Sequence, residues 1–256
     1  MKIVVAIRQV PERGAPVRLA ASGRSLEEDS LPFALNEPDA YALEQAFALQ
    51  EKQGGEVVAL SVGPERAADT LREALAKGAD RALHILADRR QNLDALAIAR
   101  LLAAAIRTEG PDLVLAGLQS EDAGHGQTGV LTAALLGLPH ATLVLGIEKT
   151  DFGVRVRREM EEGWQQTVEL PLPAVLAVQS GSLALRYATL MGIRRARTKE
   201  LHTIPAEDLA AEMQPVVTVE EIVPPRRQRA TQMIGGSPQQ AAEALVEKLR
   251  NEAHVL

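Results

Sequence analysis

Asp112-Leu-Val-Leu-Ala-Gly117 runs into Leu118-Gln-Ser-Glu-Asp-Ala-Gly-His-Gly126 and then into Gln127-Thr-Gly-Val-Leu-Thr-Ala-Ala-Leu-Leu136. An apolar run of the length of a buried strand passes through a polar, glycine-bearing loop into a helix-like segment. At the start of such a helix the first backbone N–H groups have no intrahelical acceptor, and the helix dipole adds positive potential at the same point. The stretch therefore predicts an anion seat, with a nucleotide phosphate as the expected anion. Gly124, Gly126 and Gly129 spell G-x-G-x-x-G. The dinucleotide fingerprint, however, follows its strand closely in the first strand-to-helix turn, and here a longer loop intervenes late in the chain. A phosphate seat of another kind fits this stretch better.

The neighbouring segments repeat the same alternation. Residues 2–7, 56–62, 81–86 and 112–116 are short apolar runs between turn residues, as expected of parallel strands buried on both faces. Between them, residues 38–52, 64–76 and 93–107 carry apolar side chains at helical spacing, for example Ala68, Leu71 and Leu75, or Ile98, Leu101, Leu102 and Ile106. This pattern predicts a doubly wound α/β domain with a mostly parallel sheet and helices on both faces. From residue 141 the character changes. Residues 142–146, 154–160, 164–170 and 174–179 are strand-like, and Asp151-Phe-Gly153 and Glu161-Glu-Gly163 predict two successive hairpins, hence an antiparallel extension. Leu185-Arg-Tyr-Ala-Thr-Leu-Met-Gly-Ile-Arg-Arg-Ala-Arg197 has no obvious place in that core. Residues 205–225 mix acids, prolines and β-branched residues, residues 224–229 read as a linker, and Ser237-Pro238 opens a short final helix with Ala241, Leu245 and Leu249 on one stripe. A helix of that length is marginal alone in water, so a partner subunit is its expected resting surface. The expected division is a nucleotide-binding α/β domain over residues 1–185, followed by a docking segment and C-terminal arm over residues 186–256.

Composition removes several classes of function. The 256 residues are 46% hydrophobic, enough for a full core, and the formal charge of −6 argues against a nucleic-acid surface. There is no cysteine, hence no disulfide, thiolate nucleophile or iron–sulfur ligation, and redox work would need a borrowed cofactor. The N-terminal run turns polar at Arg8 and Gln9, and no run approaches membrane-spanning length, so a cytoplasmic protein without membrane insertion is expected. The five histidines, at 84, 125, 140, 202 and 254, lack metal-ligand spacing, so no metal is expected. Neither G-x-S-x-G nor S-x-x-K is present, which leaves no catalytic residue to name. His125 reads equally as a phosphate contact or a solvated loop residue, and Glu159 as a rim charge or half of an intersubunit ion pair. Arg194, Arg195, Arg197 and Lys199 either keep a tail in solution or, beside Tyr187, Leu190 and Met191, form an apolar anchor ringed by charge that steers an acidic partner.

Several strings then carry a resemblance over nearly the whole chain. They are Val-Ala-Ile-Arg-Gln-Val-Pro at 5–11, Leu35-Asn-Glu-Pro-Asp39, Leu43-Glu-Gln-Ala46, Leu60-Ser-Val-Gly-Pro64, Ala74-Leu-Ala-Lys-Gly-Ala-Asp-Arg81, Gly126-Gln-Thr-Gly129, Leu172-Pro-Ala-Val175 and Arg186-Tyr-Ala-Thr-Leu190. In this order and spacing they resemble the β subunit of electron transfer flavoprotein.

The resemblance implies a heterodimer with an α subunit that holds most of a redox-active FAD, while the β subunit binds AMP in a structural role and its C-terminal arm embraces the partner. Carried onto this sequence, the AMP site involves Ala6, the turn from Asn36 to Asp39, Val62, Gly63, and Gly117 through Thr132, with Gln119, Asp122 and Gly126 among them. The amides of Gln127, Thr128 and Gly129 with the Thr128 and Thr132 hydroxyls would hold the phosphate, and Ala6 and Val62 would line the base. Many family members have a run of aspartates and an asparagine before Gln-Thr-Gly, where this chain has Ser120 to Gly126. The retained Gln127-Thr128-Gly129 favours AMP over the second FAD of the electron-bifurcating branch. Glu159 matches a family acid near the flavin that pairs with an α-subunit arginine. Leu190 matches the leucine that anchors in partner dehydrogenases, with arginines at 194, 195 and 197 replacing a more lysine-rich run. The implied function is to accept electrons from acyl-CoA and related dehydrogenases, as in fatty acid oxidation, and to pass them to a respiratory acceptor. The alternatives are a bifurcating subunit with FAD in place of AMP, and an adenine-nucleotide enzyme or sensor. Such an enzyme is expected to carry Ser-Gly-Gly-x-Asp-Ser after the first strand, where this chain has Arg8-Gln-Val-Pro11.

Overall fold

The computed structural model describes residues 1–88, 93–181, 183–224 and 231–256. Lys2–Ala6 (β1) leads through a small antiparallel pair, Gln9–Pro11 (β2) and Phe33–Leu35 (β3), into Glu37–Gln53 (α1). Glu56–Gly63 (β4), Ala67–Lys77 (α2), Arg81–Leu86 (β5), Ala95–Glu109 (α3), Leu113–Gly117 (β6) and Thr128–Leu136 (α4) continue the alternation. Pro38 sits in the first turn of α1, where its missing N–H costs nothing, and Gly110 closes α3 in the left-handed conformation. His140–Lys149 (β7), Gly153–Glu159 (β8), Gln165–Pro171 (β9) and Ala174–Val178 (β10) follow, then Leu190–Ala196 (α5), Leu201–Pro205 (β11) and Pro238–Asn251 (α6).

Nine strands form one sheet in the order β11-β5-β4-β1-β6-β10-β7-β8-β9. It is parallel from β11 to β7 and antiparallel from β7 to β9, as the two hairpin signals predict. Leu43 and Phe47 of α1 with Leu71 and Leu75 of α2 cover one face. Leu101, Leu102 and Ile106 of α3 with Ala133 of α4 cover the other. The doubly wound reading therefore holds.

Three features were not in the sequence reading. β10 leaves the hairpin series and inserts between β6 and β7, parallel to both, which buries all five of its residues. β11 adds a parallel edge beside β5, returning the chain to the main sheet after α5. β2 and β3 pair across a long intervening loop. By its contacts the chain divides at Glu221. Met1–Glu221 contains the sheet and both cores, and Ile222–Leu256 is a second unit that contains α6. In α6, Ser237 and Gln240 form a reciprocal capping box, and no residue is buried. The expected linker lies outside the described residues from 225 onward.

Candidate functional site

The chain runs from β1 towards β4 on one side and later returns to β6 on the other, so the β1/β6 boundary is a topological switch point. Carboxyl ends of parallel strands splay there and leave a crevice. A cleft of about 870 Å³, counting the open solvent at its mouth, occupies this place. Ala6, Asn36, Asp39, Val62, Gly117, Gln119, Gly126, Gln127, Thr128 and Gly129 all line it, so most of the expected nucleotide residues meet at one spot.

The walls are built by short polar ties. Asp39, in the first turn of α1, accepts the N–H of Arg8 at 2.7 Å and the N–H of Gly117 at 2.8 Å, stitching the exits of β1 and β6 together. The approach is so close that a Cβ on Gly117 would fall 2.4 Å from Asp39 Oδ1. Burial pushes the Asp39 carboxyl up to about 7, although the two N–H donors act in the opposite direction. Asn36 caps α1 without a side-chain bond to the helix. Its amide instead holds the loop after β6, donating to the Gln119 carbonyl at 3.1 Å and accepting from the Glu121 N–H at 3.0 Å. Arg8 reaches the same loop through Asp122, with Nη2 at 2.6 Å and Nε at 3.1 Å from one oxygen. Burial works against the Asp122 carboxylate, but Arg8 together with the Ser120 hydroxyl and the Ala123 N–H outweighs it and holds the group below the usual range.

At the floor of the cleft, α4 begins at Thr128 with Gln127 as its cap and no side-chain bond to its amides. The first-turn N–H groups are thus available to an anion. A Cβ on Gly129 would make only ordinary contact with Ala177 and Ala116, at 3.6 and 3.8 Å, so the helix start packs directly on β10 and β6. Three expected residues stand outside the lining. Asp122 acts through Arg8, the Gly63 carbonyl faces His84 Nε2 at 3.1 Å and accepts there, and the Thr132 hydroxyl donates to the Thr128 carbonyl at 2.8 Å. The sequence reading missed Arg8, Asp94 and Ile98 as lining residues. Asp94 had a local signal, since Asp before an apolar periodic run is a cap, and it does cap α3 through the Ala97 N–H at 2.8 Å.

The expected partner-facing residues lie elsewhere. Tyr187, just before α5, and Leu190 and Met191 in its first turn are 91%, 80% and 56% exposed, with Arg194 on the same helix as the latter two. Glu159, at the end of β8, accepts from Gln179 Nε2 at 3.0 Å beside exposed Met160 and Trp164. Among the described residues no cluster of three His, Asp or Glu side chains could hold a metal ion, and no helix is long and apolar enough to cross a membrane.

Residues 24–209 match the electron transfer flavoprotein domain. The electron transfer flavoprotein subunit beta of Methylophilus methylotrophus is 36% identical over 255 residues, covering 96% of this chain and 97% of the relative. A mitochondrial subunit beta of rice (Oryza sativa subsp. japonica) is 36% identical over 259 residues with both chains fully covered, and the subunit beta of the pig, Sus scrofa, is 34% identical over 256 residues, covering 98% of this chain and 97% of its own. Because the matches span the sheet, the cleft and the exposed α5 segment together, the chain belongs to the electron transfer flavoprotein family, among its beta subunits.

Proposed function

We propose that this chain is the non-catalytic half of a heterodimeric electron carrier, seating AMP as a structural ligand and joining an α subunit that holds most of the FAD. The observation that carries the AMP reading is the switch-point cleft ending on the uncapped start of α4. Phosphate there would accept the amides of residues 127–129 and the Thr128 hydroxyl, while Ala6 and Val62 flank the base. Thr132 supports the helix start from behind through its bond to Thr128. The flavin, when bound, supplies the redox chemistry. This chain contributes the Glu159 carboxylate, oriented by Gln179, to an arginine of the α subunit. Leu190, Tyr187 and Met191, with Arg194 beside them, dock acyl-CoA and related dehydrogenases, whose electrons leave for a respiratory acceptor. A cytoplasmic location belongs to the same proposal.

Mass spectrometry of the ligand released from denatured protein tests the first half. AMP is the expected product, FAD from this chain would indicate the bifurcating form, and retained ATP a nucleotide sensor. For the second half, Leu190→Ala in the heterodimer should raise KM for the carrier in reduction by an acyl-CoA dehydrogenase about tenfold or more, as loss of a central anchor does. The bound-flavin absorbance should be unchanged. Equal KM values would remove the docking role.

A further inference from the structure

Residues 186–199 expose Tyr187, Leu190, Met191 and Ile193 yet are tied to the body at both ends. At the entrance, Arg186 lies on α1. Its Nε and Nη2 donate to Glu44 Oε1 at 3.0 and 2.8 Å, its backbone N–H donates to Glu44 Oε2 at 3.1 Å, and Nη1 reaches Glu51 at 2.9 Å. The same guanidinium covers the Phe47 ring at 4.7 Å. At the exit, Arg72 of α2 donates from Nη1 to the carbonyls of Ala196 at 2.7 Å and Lys199 at 2.8 Å. The Lys199 ammonium turns back to the carbonyls of Leu75 and Ala79 at the end of α2. Between these ties, α5 lies so near α2 that a Cβ on Gly192 would fall 2.3 Å from the Ala76 carbonyl oxygen.

A seven-residue helix does not hold its shape alone in water, so the order of α5 comes from these ties. Glu44 is the most telling of them. It is only 8% exposed, and a carboxylate is kept in such a place when its charge is matched. Among the described residues, every hydrogen bond to that carboxylate comes from Arg186. The buried charge of α1 is therefore spent on fixing the root of the exposed segment.

We propose that Glu44 is a positioning residue for partner docking: through Arg186 it holds residues 187–197 in their binding shape before the partner arrives. This rests on the docking role proposed above for Leu190. A partner meeting a preformed segment does not have to order it, so weakening the tie lowers affinity without changing a contact. Glu44→Gln keeps the side-chain shape and removes the charge, and Arg186→Lys keeps the charge but loses the two-pronged donor geometry.

The test uses the intact heterodimer carrying Glu44→Gln, Leu190→Ala or both, with Arg186→Lys as the second single variant and an acyl-CoA dehydrogenase that the wild type accepts as probe. Glu44→Gln should raise KM about tenfold with kcat unchanged, and amide hydrogens of residues 187–197 should exchange faster in the free heterodimer. Arg186→Lys should shift both in the same direction. The double variant should be no worse than Leu190→Ala alone, because a mispositioned anchor and a missing anchor are one loss. An unchanged KM in both single-tie variants overturns the proposal, and so do effects of Glu44→Gln and Leu190→Ala that multiply in full. If Leu190→Ala itself leaves KM unchanged, the docking reading fails first and this one with it.

Discussion

Asp39 and His84 give the molecule opposite responses to pH. Burial raises the Asp39 carboxyl from an ordinary value of 3.8 to about 7. Between those values the folded protein binds more protons there than the unfolded chain, so this group adds stability as pH falls and withdraws it as pH rises through about 7. His84 is the reverse. It is 2% exposed, burial lowers its pKa below 6.5, and its backbone partners at Gly63 and Pro64 only partly oppose that. Its contribution is present above about 6.5 and is lost as pH falls below that value towards the folded one. Replacing each group separates the two. Asp39→Asn can accept only one of the two N–H groups now satisfied, which costs about 1–3 kcal/mol, and it cannot titrate. Denaturant unfolding from pH 5 to 8 should therefore show the largest advantage of wild type over Asp39→Asn at pH 5, shrinking towards pH 8. For His84→Gln the wild type should lose ground at pH 5 instead. Parallel stability curves for wild type and Asp39→Asn would refute the assignment.

Asp94 shows how one cap organises several elements, and its replacement has a measurable reach. One oxygen caps α3, and the other accepts the N–H groups of Val216 and Val217 at 2.8 and 3.0 Å, so the chain that leaves the α/β body is fastened beside the cleft. Burial opposes the Asp94 charge, but these N–H groups hold its pKa below the usual range. Asp94→Ala should cost about 1 kcal/mol from the cap alone and speed amide exchange at residues 216 and 217. Unaltered exchange at 216 and 217 would refute the fastening. β1, β4, β5 and β6 and the hairpins through β9 were legible in sequence, because short apolar runs and turn residues report local structure directly. The location of β10 was not. Its apolar run says that it is buried on both faces, but its insertion between β6 and β7 is a nonlocal pairing that no neighbouring residue encodes. β11 was hidden for another reason: Leu201-His-Thr-Ile-Pro205 is a half-exposed edge with too little apolar content to announce a strand. At the cleft the backbone donors of residues 127–129 followed from loop-to-helix chemistry, whereas Arg8 joined them only through the tertiary bond to Asp122.

The division at Glu221 separates a unit with two hydrophobic cores from one whose helix buries no residue. Met1–Glu221 holds the nine-strand sheet and both hydrophobic cores, whose members end at Met213. In Ile222–Leu256, α6 has a complete capping box but buries none of its residues, and Leu245 and Val246 remain 47% and 43% exposed. A cap adds about 1 kcal/mol to a helix and cannot replace a buried stripe, which is where most helical stability in proteins comes from. Ending the chain after Glu221 should therefore leave cooperative unfolding intact, with a thermal midpoint shifted by no more than about 2–4 °C, the equivalent of about 1 kcal/mol in a chain of this size. Co-expressed with an α subunit, the shortened chain should give less heterodimer by size-exclusion chromatography than the full chain, because α6 brings an apolar stripe that only a second surface can cover. The two measurements can fail independently. A fall of the midpoint by about 10 °C or more would mean that the last 35 residues stabilise the α/β body itself, and an undiminished yield of heterodimer would mean that α6 is not part of the subunit interface.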